Sequence, residues 1–425
     1  MERSNSQLKG RKRRIVLIVP YYRPGFRSGG PTASVEAMMA QIGHEFVWEI
    51  VTADRDEGEH SRYAGIPPDG RSTQGGVEIR YLPPGFERLV GLTRLLRRGD
   101  YDLLYLNDLF QPCWGLWPLV LHRSGRLRGR PVLVAPRNQL SAAALGLKPR
   151  KKRLFLHVAR WLGLWDGVLW HATRLQERDE IVQMTNTNAT VWVAPEFPNA
   201  NVLGVKRGPV RPAGGPLRVV FFSRISPMKN LEVALSVLEG MPFPVHFDIA
   251  GPVDDAAYWA RVQRMIRDLP GRISVRYLGA VEPAQVHSLL GAYDALLLPT
   301  RGENFGHVIL EALAAGCPPI ISDRTPWKDL DEKKCGWVVA LEDVDGFRTA
   351  IEQLNAMPEE RLNEVRAAAR RYAQAYAVNP KIRVANLEMF RGAMATRTPR
   401  GWRGTASLFR GAGQRRSGVD TDGDR

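Results

Sequence analysis

The chain has 425 residues, 44% hydrophobic and 24% charged, an ordinary globular balance long enough for two domains with separate cores. Its three cysteines, Cys113, Cys317 and Cys335, stand far apart with no CxxC pair and no nearby histidine spacing, which argues against a zinc site or a disulfide framework and fits a reducing cytoplasm. The formal charge of +16 suits a polyanionic partner: nucleic acid, an anionic membrane surface or a phosphorylated substrate.

Part of that charge sits in two arms, 1–14 and 396–425, whose Gly, Ser and Arg content reads as disordered. The first arm leads into Ile15 to Pro20, an apolar run too brief for a signal-peptide core, and no segment reaches membrane-spanning length. A soluble or peripheral protein is expected. The same run is β-branched and apolar throughout, as a buried parallel strand should be. Gly29 and Gly30 follow, ahead of a helical pattern on Val35, Met38, Met39 and Ile42. Glycine there either lets the backbone approach a ligand, with free amides of the helix start facing an anion, or makes a flexible turn.

Strand candidates recur at Val47 to Ala53, Val77 to Leu82, Leu103 to Asn107, Val132 to Pro136, Val168 to His171 and Val191 to Ala194, with helical patterns between several of them. This alternation predicts a doubly wound sheet in a first domain over 15–202. Asp54 to Gly76 has no apolar period and reads as a long surface loop. The basic block Lys148 to Arg153 runs into an aromatic, apolar stretch ending at Trp165. Leu154, Phe155, Val158, Trp161, Leu162 and Trp165 fall mostly on one helical stripe, so the segment is either an interfacial helix on a membrane surface or a core helix with a solvated basic end.

Residues 203–216, rich in Gly, Pro and Arg, read as a linker, and a second α/β domain is expected over 217–378, followed by a return helix at 379–395. After the strand Leu217 to Arg224, the cations Arg224 and Lys229 stand on a loop and suit a diphosphate, Arg as a bidentate fork and Lys as a point charge. The stretch Arg301 to Leu330 then reads as loop, helix, turn and strand, with the apolar helix His307 to Ala315 stopped by Gly316. Glu303 lies in the loop and Glu311 inside the helix. A buried carboxylate needs hydrogen-bond partners, which paired sugar or ribose hydroxyls would supply, and the amides of Phe305, Gly306 and His307 would face an anion. Alternatively, Glu311 satisfies a core hydrogen bond and Glu303 caps the helix.

Glu303 and Glu311, with seven residues between them and Glu311 opening the run EALAAGCPPIISD, resemble the E-x7-E signature of retaining glycosyltransferases of family four, in particular their bacterial polysaccharide-assembly members. The resemblance covers about Ile15 to Met394, more firmly in the second half. It implies the GT-B fold, two Rossmann-like domains facing a central cleft, and a hexosyltransferase that takes a nucleotide-diphosphate sugar as donor and a glycan or polyprenyl-linked saccharide as acceptor, in the cytoplasm or at the inner face of the plasma membrane. It assigns catalytic roles to Glu303, Arg224 and Lys229. Donor binding is assigned to Gly29, Gly30, Gly251, Val281, Asn304, Phe305, Gly306 and Glu311. Many members carry a histidine after the fourth strand, where this chain has Asn107 and Asp108, and the segment Ala135 to Leu145 resembles a PRG-x-L motif with Asn138 in place of glycine. Asn107, Arg137 and Asn138 are the acceptor-side candidates, with Arg137 facing either an anionic acceptor or the donor phosphate, or merely capping the strand end.

No cofactor and no metal are expected: Asp54 and Asp56 match the D-x-D of metal-dependent enzymes but sit in a polar loop. An anionic membrane surface would meet Lys148, Lys151, Lys152 and Arg153. Two rival readings remain, a basic protein that binds nucleic acid or lipid through its arms, and a related sugar epimerase; no nucleic-acid partner is expected if the first reading holds.

Overall fold

The computed structural model describes residues 11–146, 149–185, 189–199 and 214–396, without the side chains of Pro149 and Lys151. Residues 1–10 of the first arm, Lys148, positions 203–213 of the predicted linker and 397–425 of the tail therefore lie outside the described residues.

The first sheet has eight strands: β1 (Arg14–Ile18), β2 (Val47–Ala53), β3 (Arg71–Gln74), β4 (Val77–Leu82), β5 (Leu103–Leu106), β6 (Val132–Val134), β7 (Leu169–Ala172) and β8 (Thr190–Val193), in the order β3-β4-β2-β1-β5-β6-β7-β8. The second has six: β9 (Leu217–Phe222), β10 (Val245–Ala250), β11 (Ile273–Gly279), β12 (Ala295–Leu298), β13 (Pro319–Ser322) and β14 (Trp337–Val339), in the order β11-β10-β9-β12-β13-β14. Every pairing except β3 with β4 is parallel. The central strands are buried on both faces, which is why they read as continuous apolar runs instead of alternating ones.

Each sheet has its own core. Leu104, Val134 and Trp170 belong to one on the first sheet, and Phe221, Leu297 and Ile320 to the core of the second. The last helix, Pro380–Ala395, returns to the first sheet, where Phe390 meets the rings of Trp48, Phe46 and Tyr105 edge-on at centroid distances of 5.4, 5.8 and 5.2 Å. The two halves are thus joined both at 200–213 and by this helix.

The stretch Asp54 to Gly76 is a largely surface loop as far as Gly70, as its composition suggested, but it is anchored at several points and ends in a strand. Asp54 and Asp56 are buried, Tyr63 and Ile66 pack against the first core, and Arg71–Gln74 pairs antiparallel with β4. Gly75 and Gly76 both take positive φ, 56° and 79°, which gives the tight reversal a two-residue hairpin needs. That Gly-Gly pair ahead of the alternating VEIRYL was the missed signal. The D-x-D pair is structural: Asp54 holds Arg55 at 2.9 Å, and Asp56 accepts from the amides of Phe26 and Glu57 at 2.9 and 2.8 Å.

The basic-aromatic segment forms the helix Pro149–Trp161 and divides the predicted stripe. Leu156, Ala159, Leu164 and Trp165 are buried, and Phe155 stacks edge-on against Phe110 at 5.2 Å. Leu154, Val158, Trp161 and Leu162 face solvent, with Trp161 82% exposed. Lys152 is not on the outer face: it donates to the Ala144 carbonyl at 2.6 Å and lies over the Phe110 ring.

Candidate functional site

A cleft of about 410 Å³ opens between the carboxyl edges of the two sheets. It is where ligands bind in open α/β folds, because the strand-to-helix loops of both sheets converge there. Gly29, Gly30, Arg137, Asn138, Arg224, Lys229, Gly251, Val281, Glu303, Asn304, Phe305, Gly306 and Glu311 all line it. Asn107 does not; it is buried behind Arg137 and accepts from its Nε at 2.8 Å.

The loop after β9 delivers the cations. Lys229 sits in a turn before Asn230, whose left-handed backbone starts the helix Leu231–Glu239 and whose side-chain amide donates to the Pro299 carbonyl at 3.0 Å. Lys229 Nζ is 2.5 Å from Glu303 Oε1. Arg224 is held loosely, 3.5 Å from Asp254 and 3.9 Å from Glu57 of the first domain. Glu303 is buried, and its pairing leaves Lys229 poised on one carboxylate oxygen.

Behind them the helix His307–Ala315 points its N-terminus into the cleft, and its first amides have no intrahelical acceptor. Gly306 caps it at φ 80°, and a Cβ there would lie 2.8 Å from Ile309. Glu311 lies one turn inside. Burial pushes its carboxyl pKa up, against the pull of His307 and a hydrogen bond from Asn199. Gly251 is also required by the fold itself: at φ 132° a Cβ would collide with the Ser223 carbonyl.

The centre of the site is a residue the sequence did not single out. Glu196, just past β8, is buried and takes hydrogen bonds from Arg137 at 3.0 Å, Asn304 at 2.5 Å, His307 Nε2 at 3.1 Å and the Ser34 hydroxyl. Burial alone would raise its pKa, but Arg137, His307 and Ser34 together hold the carboxyl far below the usual carboxylate range. Asn304 and His307 come from the second domain, the rest from the first, so this one carboxylate ties the domains across the cleft. A polar residue at the carboxyl end of a parallel strand was the signal that could have found it.

Ser34 Oγ also lies 2.9 Å from His307 Nε2. Serine and carboxylate thus meet the same ring nitrogen, while Nδ1 is buried without a partner. A Ser-His-acid relay needs them on opposite nitrogens, so the cluster is not a nucleophilic triad.

Arg137 lines the cleft and makes three hydrogen bonds within the first domain. Successive left-handed residues, Arg137 at φ 52° and Asn138 at φ 64°, turn its guanidinium toward Glu196, Asn107 and the Tyr105 hydroxyl. Burial works against its charge, but Tyr105, Glu196 and Glu177 outweigh that and raise its pKa. Tyr105 in turn donates to His171 Nδ1 at 2.7 Å while His171 Nε2 donates to Ala194. Burial lowers the His171 pKa to about 3 and keeps the ring neutral. Asn138 spends its amide on Glu177 and its side-chain oxygen on Arg174. Both residues shape the cleft wall.

Comparison with known proteins bears on the second domain first. Residues 206–373 match the family described as "Glycosyl transferases group 1". That group 1 region contains Arg224, Lys229, Glu303 and Glu311. Among curated relatives, the phosphatidyl-myo-inositol mannosyltransferase of Mycobacterium leprae is 26% identical over 244 residues, 54% of this chain and 57% of that protein. Its counterpart in Mycolicibacterium smegmatis is 32% identical over 139 residues, 31% of this chain and 34% of that one. The chain thus spans little more than half, or less, of the length of these relatives. Among solved structures, sucrose-phosphate synthase from Thermosynechococcus elongatus superposes with a TM-score of 0.70 over 90% of this chain and all of its own, at 18% identity. Anabaena HepE, in complex with UDP and glucose, gives 0.65 over 90% of this chain and all of its own, at 17% identity. The two-sheet architecture is the GT-B fold.

A depressed carboxylate pKa stabilises the fold above the ordinary glutamate range and loses that contribution as pH falls through and below it. Glu196→Gln should therefore lower the melting temperature markedly at pH 7, by the equivalent of about 3–5 kcal/mol for a broken buried network. The gap between variant and parent should narrow as pH drops below 4. A pH-independent gap would show that Glu196 is not the charged centre of the site.

Proposed function

We propose that this protein is a retaining, metal-independent hexosyltransferase that moves a sugar from a nucleotide-diphosphate sugar to a glycan or lipid-linked saccharide in bacterial polysaccharide assembly. The observation that carries it is the Lys229–Glu303 pair at the N-terminus of His307–Ala315, with Glu311 one turn behind, inside an interdomain cleft. The resemblance of the same residues to the family-four signature, and UDP and glucose bound to the GT-B neighbour HepE, support the choice of donor.

A donor diphosphate entering the cleft competes with Glu303 for Lys229. It also meets Arg224, whose 3.5 and 3.9 Å pairs are readily exchanged, and the free amides at the helix end. Glu303, released, accepts from hydroxyls of the donor sugar, and ribose hydroxyls replace Asn199 on Glu311. As the bond from the anomeric carbon to the phosphate oxygen breaks, charge grows on the diphosphate, and Lys229 and Arg224 stabilise it more than they did in the ground state. The acceptor oxygen bonds to the anomeric carbon on the same face, and its proton passes to the departing phosphate oxygen. No protein nucleophile is needed.

The helix Pro149–Trp161 gives the proposed acceptor its location. Leu154, Val158, Trp161 and Leu162 stand exposed beside the exposed Arg150, Arg153 and Arg160, a combination suited to an anionic membrane surface. Among the described residues no helix is long and apolar enough to cross a membrane. We place the protein on the cytoplasmic face as a peripheral enzyme.

UDP, GDP and their sugars should each be tried in a thermal-shift titration, and at least one should raise the melting temperature. For that ligand, Glu311→Gln should weaken binding about tenfold, in the range of a hydrogen bond to a charged group. Lys229→Ala should lower kcat about 100-fold or more with little change in melting temperature. No shift with any nucleotide, or full turnover in Lys229→Ala, would refute the donor assignment. For the membrane reading, the double change Trp161→Glu and Leu162→Glu should release the protein from phosphatidylglycerol vesicles while leaving donor hydrolysis intact; retained binding would show that another surface is responsible.

A further inference from the structure

Among the described residues of the first domain, Arg88 is a partly buried cation with no hydrogen-bonding or ion-pair partner. Its Nε is buried with nothing to donate to. Its guanidinium carbon lies 4.7 Å from the centre of the Trp114 ring, a platform that fixes a planar cation while leaving its donor edge unused. A half-buried charge without compensation is unfavourable: burial weakens Arg88's hold on its proton more than Cys113, Asp54 and Tyr21 restore it. Asp54, the carboxylate nearest in sequence order among these, is already committed to Arg55.

Position gives this unused fork a role. Arg88 stands in the first turn of the helix Phe86–Arg98, which follows β4; Trp114 follows β5, and Tyr21 follows β1. All three segments lie at the carboxyl edge of the first sheet, beside the residues that line the interdomain cleft and not among them. Glu57, between β2 and β3 on the same edge, is 3.9 Å from Arg224.

We infer that Arg88, seated on Trp114, is a subsite for an oxyanion of the acceptor, a phosphate or a sugar carboxylate that takes both outer nitrogens of the guanidinium. Calling that oxyanion part of an acceptor rests on the glycosyl-transfer reading above; the binding itself does not. A bland alternative is that the ring merely shields an arginine stem.

Isothermal titration of the full chain, with the nucleotide site saturated by UDP, separates these. Three probes are used: sodium pyrophosphate, glucuronate and farnesyl diphosphate. At least one should bind the parent protein and lose tenfold or more in Arg88→Gln, with Arg88→Lys between the two because it keeps the charge but not the fork. Pyrophosphate dependence on Arg88 would identify a free phosphate, a stronger dependence for farnesyl diphosphate a lipid-linked one, and glucuronate an acidic sugar. UDP affinity should be equal in all three proteins, which also guards against a folding defect. If no probe binds, or if binding is the same in Arg88→Gln, the subsite does not exist. Failure of UDP itself to bind would count against the nucleotide-sugar reading, and the probe titrations would then be judged without it.

Discussion

Everything in the cleft depends on one buried carboxylate. Glu196 is buried at the cleft wall, and an ionised group so placed must be compensated by protein or it will not stay ionised. The compensation comes from Arg137 and Ser34 on one side of the cleft and from Asn304 and His307 on the other. Removing any of these leaves a charge short of partners, so the position of the helix His307–Ala315 is tied to the first domain by the same electrostatics that keep Glu196 charged. The Tyr376 hydroxyl, which reaches the Glu196 carbonyl at 3.4 Å, adds the helix Glu359–Ala377 to this junction.

The remaining ionisable groups of the cleft are held in exchangeable arrangements. Lys229 rests on Glu303, Arg224 is shared loosely between Asp254 and Glu57, and Glu311 relies on Asn199. Such pairs can be replaced by a ligand's charges and hydroxyls, which suits the proposed binding and release of a diphosphate. Around this soft interior the walls are rigid: Phe305 is wedged among His307, Trp327 and Tyr376, and Trp327 donates to its carbonyl at 2.6 Å. Rigid walls with a replaceable lining are what electrostatic preorganisation requires.

Much of the fold was legible because parallel strands buried on both faces announce themselves as apolar runs; Val47–Ala53, Val77–Leu82 and Pro319–Ser322 have the bounds expected from sequence. The hairpin at Gly75 and Gly76 was not, since its strand Arg71–Gln74 is short, polar and at an edge, with nothing to bury. In the site, local motifs could be seen and long-range pairs could not. Arg224, Lys229, Glu303 and Glu311 stand on loops and one helix with recognisable context. Glu196 pairs with residues up to 162 positions away, and nothing near APEFPN reveals that. The partners of Arg137 were hidden for the same reason: Asn107, Tyr105 and Glu196 are brought to it only by the stacking of β5, β6 and β8 loops. The amphipathic stripe was half right, because a 3.6 period tells which residues share a face but not where the domain surface cuts across it.

The central claim is that the interdomain cleft holds a nucleotide diphosphate at Lys229 and the start of His307–Ala315. A crystal structure of the protein with UDP tests it most directly. The account predicts diphosphate oxygens within hydrogen-bond distance of Lys229 Nζ, which leaves Glu303, and ribose hydroxyls on Glu311 in place of Asn199, with Glu196 still bound to Arg137 and His307. A nucleotide found elsewhere, with Lys229 still on Glu303 and Asn199 still on Glu311, would contradict it.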